Sequence, residues 1–196
     1  MAIEEPAYRV VKEYGNFELR RYAAYLIAAT EVEGEFDAAG NLGFRVLFDY
    51  ISGNNARAES IAMTAPVEQR AKGEKIAMTA PVSQSRVAGS ADTHVVSFVM
   101  PKDYTLETIP QPRDPRVRIQ QVPGRLVAVR RYSGRWSVDN YRENEANLLE
   151  AVDKAGLRTV GVPVYARYNS PFRPWFLRRN EVMIEVRTAE VVEFSK

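Results

Sequence analysis

The sequence predicts an α+β fold in which two ββαββ halves, related by a pseudo-two-fold axis, form a twisted antiparallel sheet or distorted β-barrel flanked by two α-helices. Short segments rich in aromatic and β-branched residues, which favour strands, dominate the chain. Two segments of helical period interrupt them, and the order strand–strand–helix–strand–strand occurs twice. We expect one domain over residues 1–196, with a first half at about 8–100, a connector at 101–115 and a second half at about 116–188.

Three strands open the first half. Residues 8–14 and 17–22 are separated by a Gly-Asn pair, which is typical of a hairpin turn. Residues 25–32 continue the strand pattern, which ends at Gly34. The start of the chain is therefore predicted to be an antiparallel run of strands.

The next segment, residues 37–52, changes to a helical period. Its apolar residues recur at i, i+3, i+4 and i+7, namely Phe44, Leu47, Phe48 and Ile51. This spacing places them on one face of a helix. Asp37 is predicted to cap the N-terminus of the helix, and Gly53 is predicted to end it.

The heptapeptide IAMTAPV then occurs twice, at residues 61–67 and 76–82. The linker between the copies is polar and contains glycine, so we predict two neighbouring strands of a hairpin. Strand alternation would place four side chains of the second copy on one face: Ile76, Met78, Ala80 and Val82. We interpret this face first as a lining of the sheet. The alternative is that one copy forms the wall of an apolar pocket, since methionine adapts to flat ligands of varied shape.

The second half repeats the order of the first. Strands are predicted at residues 117–122, 126–132, 162–168 and 181–186. Ser137 is predicted to cap a helix that runs to about Ala155 and stops at Gly156. The apolar face of this helix is formed by Tyr141, Leu148, Leu149 and Val152.

The two halves align when the chain is shifted by 100 residues. Leu19 then lies over Ile119, and one inserted residue sets Leu47 over Leu148. Identity between the halves is low, so a coincidence of pattern is the alternative to a duplication. Two such halves would pack about a pseudo-two-fold axis, and we expect a ligand groove at the seam between them.

Composition limits the classes of function. The net charge of +2 is too small to indicate a nucleic-acid partner. No cysteine is present, which excludes disulfides, thiolate metal sites and cysteine nucleophiles. No signal-peptide pattern and no apolar run of roughly 18 residues is visible. We expect a cytoplasmic protein that neither inserts into membranes nor binds nucleic acid.

Motifs of catalysis are missing. The chain has no G-x-S-x-G elbow, no P-loop and no G-x-G-x-x-G motif. Glu143 and Glu145 do not face each other on a helix, so we interpret them as part of a solvated face. The Arg20-Arg21 pair in a predicted strand is interpreted as solvent-facing charge. We therefore expect no enzymatic activity.

His94 is the single histidine and lies in a strand predicted at residues 93–100. Alternation places it on one face with Val96, Phe98 and Met100. Two interpretations stay open. His94 is a candidate axial ligand for a heme iron, or it is a strand-end residue that contacts water. No other metal ligand is predicted.

Four separated motifs carry a family resemblance: KIAMTAPV at 75–82, YISGNN at 50–55, VSFVMP at 96–101 and PFRPWFLRRNEVMIEV at 171–186. Together, and in their order along the chain, they resemble the SOUL heme-binding protein family, over nearly the whole chain. The resemblance implies two ββαββ-like halves with two flanking helices. It also implies binding of heme or another tetrapyrrole without an enzymatic reaction, and likeness to the effector-binding modules of some bacterial transcription regulators.

The resemblance further implies a groove beside the first helix and the loop before the RRNE strand. The cofactor-binding residues that it nominates on this chain are Leu42, Phe44, Arg45, Val46 and Leu47 in the helix, with Phe172 and Arg173 in the loop. Arg173 stands where the family carries a basic residue suited to a heme propionate. Two other functions stay open, namely a binder or sensor of a different apolar small molecule and an enzyme that acts on a tetrapyrrole or a small ligand.

Overall fold

The computed structural model describes residues 3–56 and 73–187. Within these ranges the chain forms eleven strands: β1 (Tyr8–Glu13), β2 (Glu18–Tyr22), β3 (Tyr25–Glu33), β4 (Asn55–Ala56), β5 (Val82–Arg86), β6 (Thr93–Val99), β7 (Gln111–Pro112), β8 (Val117–Val122), β9 (Arg125–Tyr132), β10 (Arg158–Arg167) and β11 (Asn180–Arg187). The helices are α1 (Phe36–Ile51) and α2 (Val138–Lys154), with a short 3₁₀ turn at Trp175–Leu177. Neither α1 nor α2 is long and apolar enough to cross a bilayer.

Nine of these strands form one antiparallel sheet in the order β1-β2-β9-β11-β10-β5-β6-β3-β8. The sheet is curled into a half-barrel, and the remaining short strands, β4 and β7, pair with each other. The predicted α+β fold of a twisted antiparallel sheet with two helices is thereby confirmed.

The sheet is pseudo-symmetric about the β5–β10 pair. Eight strands form four equivalent pairs: β2 with β8, β9 with β3, β11 with β6 and β10 with β5. The two strands of each pair lie at equal distances from the centre of the sheet order, on opposite sides of it. The register agrees, because Leu19 faces Ala128 in the β2–β9 pair and Ile119 faces Ala28 in the β3–β8 pair. These are the same positions shifted by 100 residues. The symmetry is what a duplication would produce, although the duplication itself stays a prediction.

The helix positions correct two details of the sequence analysis. α1 begins at Phe36 after Glu35, which makes no side-chain cap, and Asp37 lies in the first turn rather than at the N-cap. A carboxylate in the first turn still interacts favourably with the helix dipole. In α2, Ser137 is the N-cap as predicted and accepts a hydrogen bond from the Asn140 amide. Phe48 points away from the core, because the buried face of α1 is centred on its glycines and on Leu47 and Tyr50 instead.

The second IAMTAPV copy is not the predicted strand, since β5 begins only at its last residue, Val82. Its backbone bonds elsewhere: the Ile76 amide donates to the Ile51 carbonyl at 2.8 Å, and the Ala80 amide donates to the Glu4 carbonyl at 2.9 Å. Strand alternation is therefore lost, and the side chain of Met78 is exposed. The first copy, residues 61–67, lies outside the described residues.

Arg20 is a further correction, because it is buried rather than solvent-facing. Its guanidinium lies 3.1 Å from the Glu181 carboxylate and 2.7 Å from that of Glu18. Glu181 is itself buried and also accepts a hydrogen bond from the Tyr168 hydroxyl at 2.7 Å. Burial of a charge requires such a partner, and Glu181 is 161 positions away in the chain.

Candidate functional site

The outer side of α1 exposes large apolar side chains. We call Leu42, Phe44, Arg45 and Phe48 the α1 surface. The rings of Phe44 and Phe48 stack with centroids 5.8 Å apart and planes 12° apart, and Phe44 also packs its edge against Phe98 at 5.3 Å. Phe48 is 47% exposed and Leu42 is 40% exposed. Arg45 is exposed between them. An apolar shelf with a cation beside it therefore faces solvent.

Val46 and Leu47, which the sequence analysis also nominated, lie on the opposite side of α1. Both are buried in the core between α1 and the sheet. Among the nominated helix residues, Leu42 and Arg45 are exposed and Phe44 is half-buried.

The loop between β10 and β11 carries the other nominated residues. Phe172 is 94% exposed, and Trp175, Phe176 and Leu177 are also exposed. Arginine side chains fix the loop: Arg173 Nε donates to the Leu177 carbonyl at 2.8 Å, and Arg178 Nη2 donates to the Pro171 carbonyl at 2.6 Å. We call residues 169–178 the arginine loop.

The arginine loop leaves the sheet beside α1. β10 ends at Arg167, which pairs with Val82 of β5, and Val82 packs against the same core cluster as Phe44. A Cβ atom placed on Gly40 of α1 would lie 3.4 Å from Arg167 Nη2. The loop and the first half of α1 therefore start from neighbouring positions in the fold.

A second feature is a cleft of about 600 Å³ at the seam between the first and second parts of the chain, and its use as the expected ligand groove stays a prediction. We call it the seam cleft. From the first half it is lined by Gly34, Glu35, Phe36, Arg86, Ala91, Asp92 and His94. From the second half it is lined by Val138, Tyr141, Arg142, Glu145, Ala146, Leu149, Val162, Pro163 and Tyr165. Its volume is within the range of small-molecule sites.

Aromatic rings converge in the seam cleft. The centroid of Phe36 lies 5.1 Å from that of Tyr141, 5.3 Å from that of Tyr165 and 5.5 Å from that of His94. The Tyr165 hydroxyl donates a hydrogen bond to Glu145 Oε2. Burial raises the pKa of Tyr141 to about 12, and burial together with the bond to Glu145 raises the pKa of Tyr165. Both phenols are therefore neutral hydrogen-bonding groups at physiological pH.

His94 lies in the wall of this cleft and is only 2% exposed. The interpretation as a strand-end residue that contacts water is therefore wrong. Its Nδ1 atom is buried and has no hydrogen-bond partner among residues 3–56 and 73–187. Burial, reinforced by Arg86, lowers the pKa of His94, so the imidazole is neutral. A role as an axial ligand stays a prediction.

Sequence reasoning missed the acid of the seam cleft. Glu145 is not on a fully solvated face, because it is half-buried and bonded to Tyr165, whereas Glu143 is exposed. A signal was available in the helical spacing of Val138, Glu145 and Leu149, which places these residues along one side of α2. That spacing alone does not show that β10 brings Tyr165 against Glu145.

Comparisons with known proteins agree with this architecture. The family model described as SOUL heme-binding protein matches residues 3–185. Heme-binding protein 2 of Homo sapiens is 27% identical over 194 residues, covering 92% of this chain and 88% of the relative. Heme-binding protein 2 of Mus musculus is 26% identical over 198 residues, covering 94% and 90%.

Solved structures share the fold at low identity. The C-terminal domain of EcmrR superposes with a TM-score of 0.61 at 11% identity, covering 92% of this chain and 98% of that domain. A hydrolase from Listeria innocua superposes with a TM-score of 0.56 at 10% identity, covering 88% and 92%. These likenesses show the fold alone, whereas the family match spans nearly all of the described residues. This chain belongs to the SOUL heme-binding protein family.

Proposed function

We propose that this protein binds heme or a related tetrapyrrole reversibly, on the α1 surface and the arginine loop, as a non-enzymatic carrier or buffer in the cytoplasm. The observation that carries the proposal is the Phe44–Phe48 stack, in which Phe48 is exposed and Phe44 is half-buried, with the exposed Arg45 beside it. The names of the human and mouse relatives support the choice of ligand.

A tetrapyrrole is a broad apolar plate, and the α1 surface offers apolar area that water now covers. Burial of apolar surface contributes roughly 25 cal/mol per Å². Leu42 and Phe48 are exposed on α1, and Phe172 is almost wholly exposed on the arginine loop. Covering these side chains would supply most of the affinity, and exposed apolar patches commonly mark binding surfaces.

The heme propionates need cationic partners at the edge of the plate. Arg45 on α1 and Arg173 in the arginine loop are both exposed. A guanidinium matches a carboxylate in a forked geometry that also fixes orientation. Arg173 is held by its bond to the Leu177 carbonyl, so part of its ordering is complete before a ligand arrives.

The α1 surface contains no histidine, since the single histidine of the chain is in the seam cleft. Binding there would depend on contact with the macrocycle more than on the iron. We therefore expect reversible binding that tolerates removal of the metal, as suits a carrier or buffer.

The proposal is tested by titrating the purified protein with hemin and, in parallel, with metal-free protoporphyrin IX, while the Soret band is recorded. A saturable shift with both ligands at micromolar protein is expected. No saturable shift with either ligand would refute the proposal. A thermal-shift screen with unrelated apolar compounds then separates a tetrapyrrole carrier from a sensor of other molecules.

A further inference from the structure

The arginine loop exposes more apolar surface than the proposed tetrapyrrole site uses. Phe172 and Arg173 are nominated for that site, whereas Trp175, Phe176 and Leu177 have no assigned role. These three side chains follow one another directly in the chain, and all three are exposed. An exposed apolar run of this kind commonly marks an interaction surface.

Arginine side chains satisfy the backbone of the loop from within. Arg178 donates from Nε to the Arg173 carbonyl at 2.9 Å and from Nη2 to the Pro171 carbonyl at 2.6 Å. Arg173 donates from Nε to the Leu177 carbonyl at 2.8 Å. Three carbonyls that would otherwise need water therefore have partners inside the loop.

Backbone amides extend this internal bonding. The Trp175 carbonyl accepts from the Gly134 amide at 3.1 Å, and the Pro174 carbonyl accepts from the Leu177 amide at 2.9 Å. Pro171 and Pro174 carry no amide hydrogen. Unpaired backbone groups are strongly unfavourable in an apolar medium. This loop is therefore better suited to leave water than a surface loop whose carbonyls depend on solvent.

Cations accompany the apolar side chains. Arg135, Arg173 and Arg178 form no salt bridge within residues 3–56 and 73–187. Residues 169–178 include no Asp or Glu. The guanidinium of Arg135 lies over the Trp175 ring, 5.8 Å from its centroid. The loop therefore combines apolar side chains with positive charge that no ion pair among those residues neutralises.

An anionic lipid bilayer is complementary to this combination. Tryptophan, phenylalanine and leucine enter the interfacial layer of a bilayer, while arginine is attracted to the anionic headgroups above it. A single strand of nucleic acid also binds rings and cations, but it has no apolar interior that would take up Leu177. The internally bonded backbone likewise favours an apolar medium over the wet surface of a nucleic acid.

We propose that the arginine loop docks this protein on the surface of anionic lipid bilayers. Trp175, Phe176 and Leu177 enter the interfacial layer, and the arginines of the loop contact lipid phosphates. A loop of this kind lies on a bilayer and does not span it. The docking does not depend on the proposed binding of a tetrapyrrole, so it is tested on ligand-free protein.

Flotation with lipid vesicles measures the docking. Vesicles of equal parts phosphatidylcholine and phosphatidylglycerol should bind the wild type more than about tenfold more tightly than vesicles of phosphatidylcholine alone, because arginines are attracted to an anionic surface. Phe176→Asp should weaken binding to the mixed vesicles about tenfold or more, because burial of a ring is lost and a repelled charge is added. Val11→Asp, at an exposed apolar position of β1, is the matched control and should bind like the wild type.

Tryptophan fluorescence tests whether the loop itself enters the bilayer. The chain has two tryptophans, and Trp136 is half-buried, with its Nε1 bonded to Asn180 Oδ1 at 2.8 Å. A blue shift of the emission on vesicle binding is expected, and it should come from Trp175. Trp175→Phe keeps an aromatic ring, so it should still float with the vesicles while the blue shift is lost.

A fluorescent oligothymidylate is the arm for nucleic acid. It carries negative charge without an apolar interior, and it should not bind. The proposal is overturned if the wild type does not float with the anionic vesicles, if Phe176→Asp floats as the wild type does, if the bound protein shows no blue shift, or if the oligothymidylate binds as tightly as the vesicles.

Discussion

The α1 surface and the seam cleft differ in how they are built, although each lies along one of the two helices. When the helices are aligned as in the sequence analysis, Phe44 of α1 corresponds to Glu145 of α2, and Phe48 corresponds to Leu149. Each site combines one helix with the loop after a central strand, namely the arginine loop after β10 and residues 87–92 after β5. One loop carries the exposed Arg173 and the half-buried Arg178, and the other brings Asp92 to its site. The two sites therefore differ in the charged side chains that their loops supply.

The helices also differ in how they meet the sheet. A Cβ atom on Gly43 of α1 would lie 2.5 Å from Cγ2 of Val96, so the helix backbone rests directly on the strand. The corresponding position in α2 is Asn144, whose buried side chain accepts a hydrogen bond from Arg130 Nε at 3.1 Å. The halves therefore share topology while their helix–sheet contacts are built from different residues.

The largest expected effect comes from filling the close contact of α1. Gly43→Ala should lower the free energy of unfolding by about 1–3 kcal/mol despite the better helix propensity of alanine, because the new methyl group overpacks against the β-branched Val96. Urea unfolding measures the change. Asn41→Ala, at an exposed position of the same helix, is the control and should not be destabilised. Equal stability of Gly43→Ala and the wild type would show that the close approach is not required.

An effect of intermediate size is expected from the charge of the arginine loop. Arg173→Glu should weaken hemin binding about tenfold, because a carboxylate would replace the charge-assisted partner of a propionate. Arg173→Lys keeps the charge but cannot reproduce the bond from Nε to the Leu177 carbonyl, so it separates charge from loop shape. Arg9→Glu, on the distant edge strand β1, controls for net charge. An equal loss in Arg173→Lys and Arg173→Glu would contradict an electrostatic role.

The smallest expected effect is a pH dependence from the seam cleft. The pKa of His94 is lowered in the folded protein, so the unfolded chain binds a proton more readily. Its contribution to stability is complete above about pH 6.5, the ordinary value for histidine, and is lost as the pH falls through the lower folded pKa. Urea unfolding from pH 7.5 to 5 should show this decline, and His94→Gln should reduce its slope. An unchanged slope in the variant would assign the decline to carboxylates.

The same histidine tests whether the two sites are separate. His94→Ala should leave the absorption spectrum of the hemin complex unchanged, because the α1 surface holds the macrocycle without this residue. A changed Soret band in the variant would instead make His94 an axial ligand and would move the tetrapyrrole to the seam cleft.

Local pattern was sufficient to predict both helices and most of the long strands. The strands around the Gly15 turn, the Ser137 cap and the end of α2 at Gly156 all depend on neighbouring residues, and each is observed. The second IAMTAPV copy failed because its backbone hydrogen bonds go to Ile51 and Glu4, which lie far away in the chain. The alternation of apolar and polar residues in a segment carries no information about partners so far away in the chain.

Long-range pairing also explains what was missed in the sites. Arg20 is predicted as exposed from its strand context, but Glu181 of another strand neutralises it and allows burial. Glu145 looked solvated until β10 brought Tyr165 against it. Of the residues nominated by family resemblance, Leu42, Arg45 and Phe172 are exposed, whereas Val46 and Leu47 are buried, and their role in binding stays a prediction.

The central claim is that a tetrapyrrole binds the α1 surface, and hemin titration of two variants tests it most directly. Phe48→Asp removes the exposed half of the aromatic stack and should raise the dissociation constant for hemin about tenfold or more, in line with the loss of a buried aromatic contact. Glu145→Gln, in the seam cleft, should bind hemin as the wild type does. Val11→Asp, at a similarly exposed apolar position of β1, controls for a new surface charge. Unchanged affinity in Phe48→Asp, together with weakened affinity in Glu145→Gln, would contradict the claim and place the tetrapyrrole in the seam cleft.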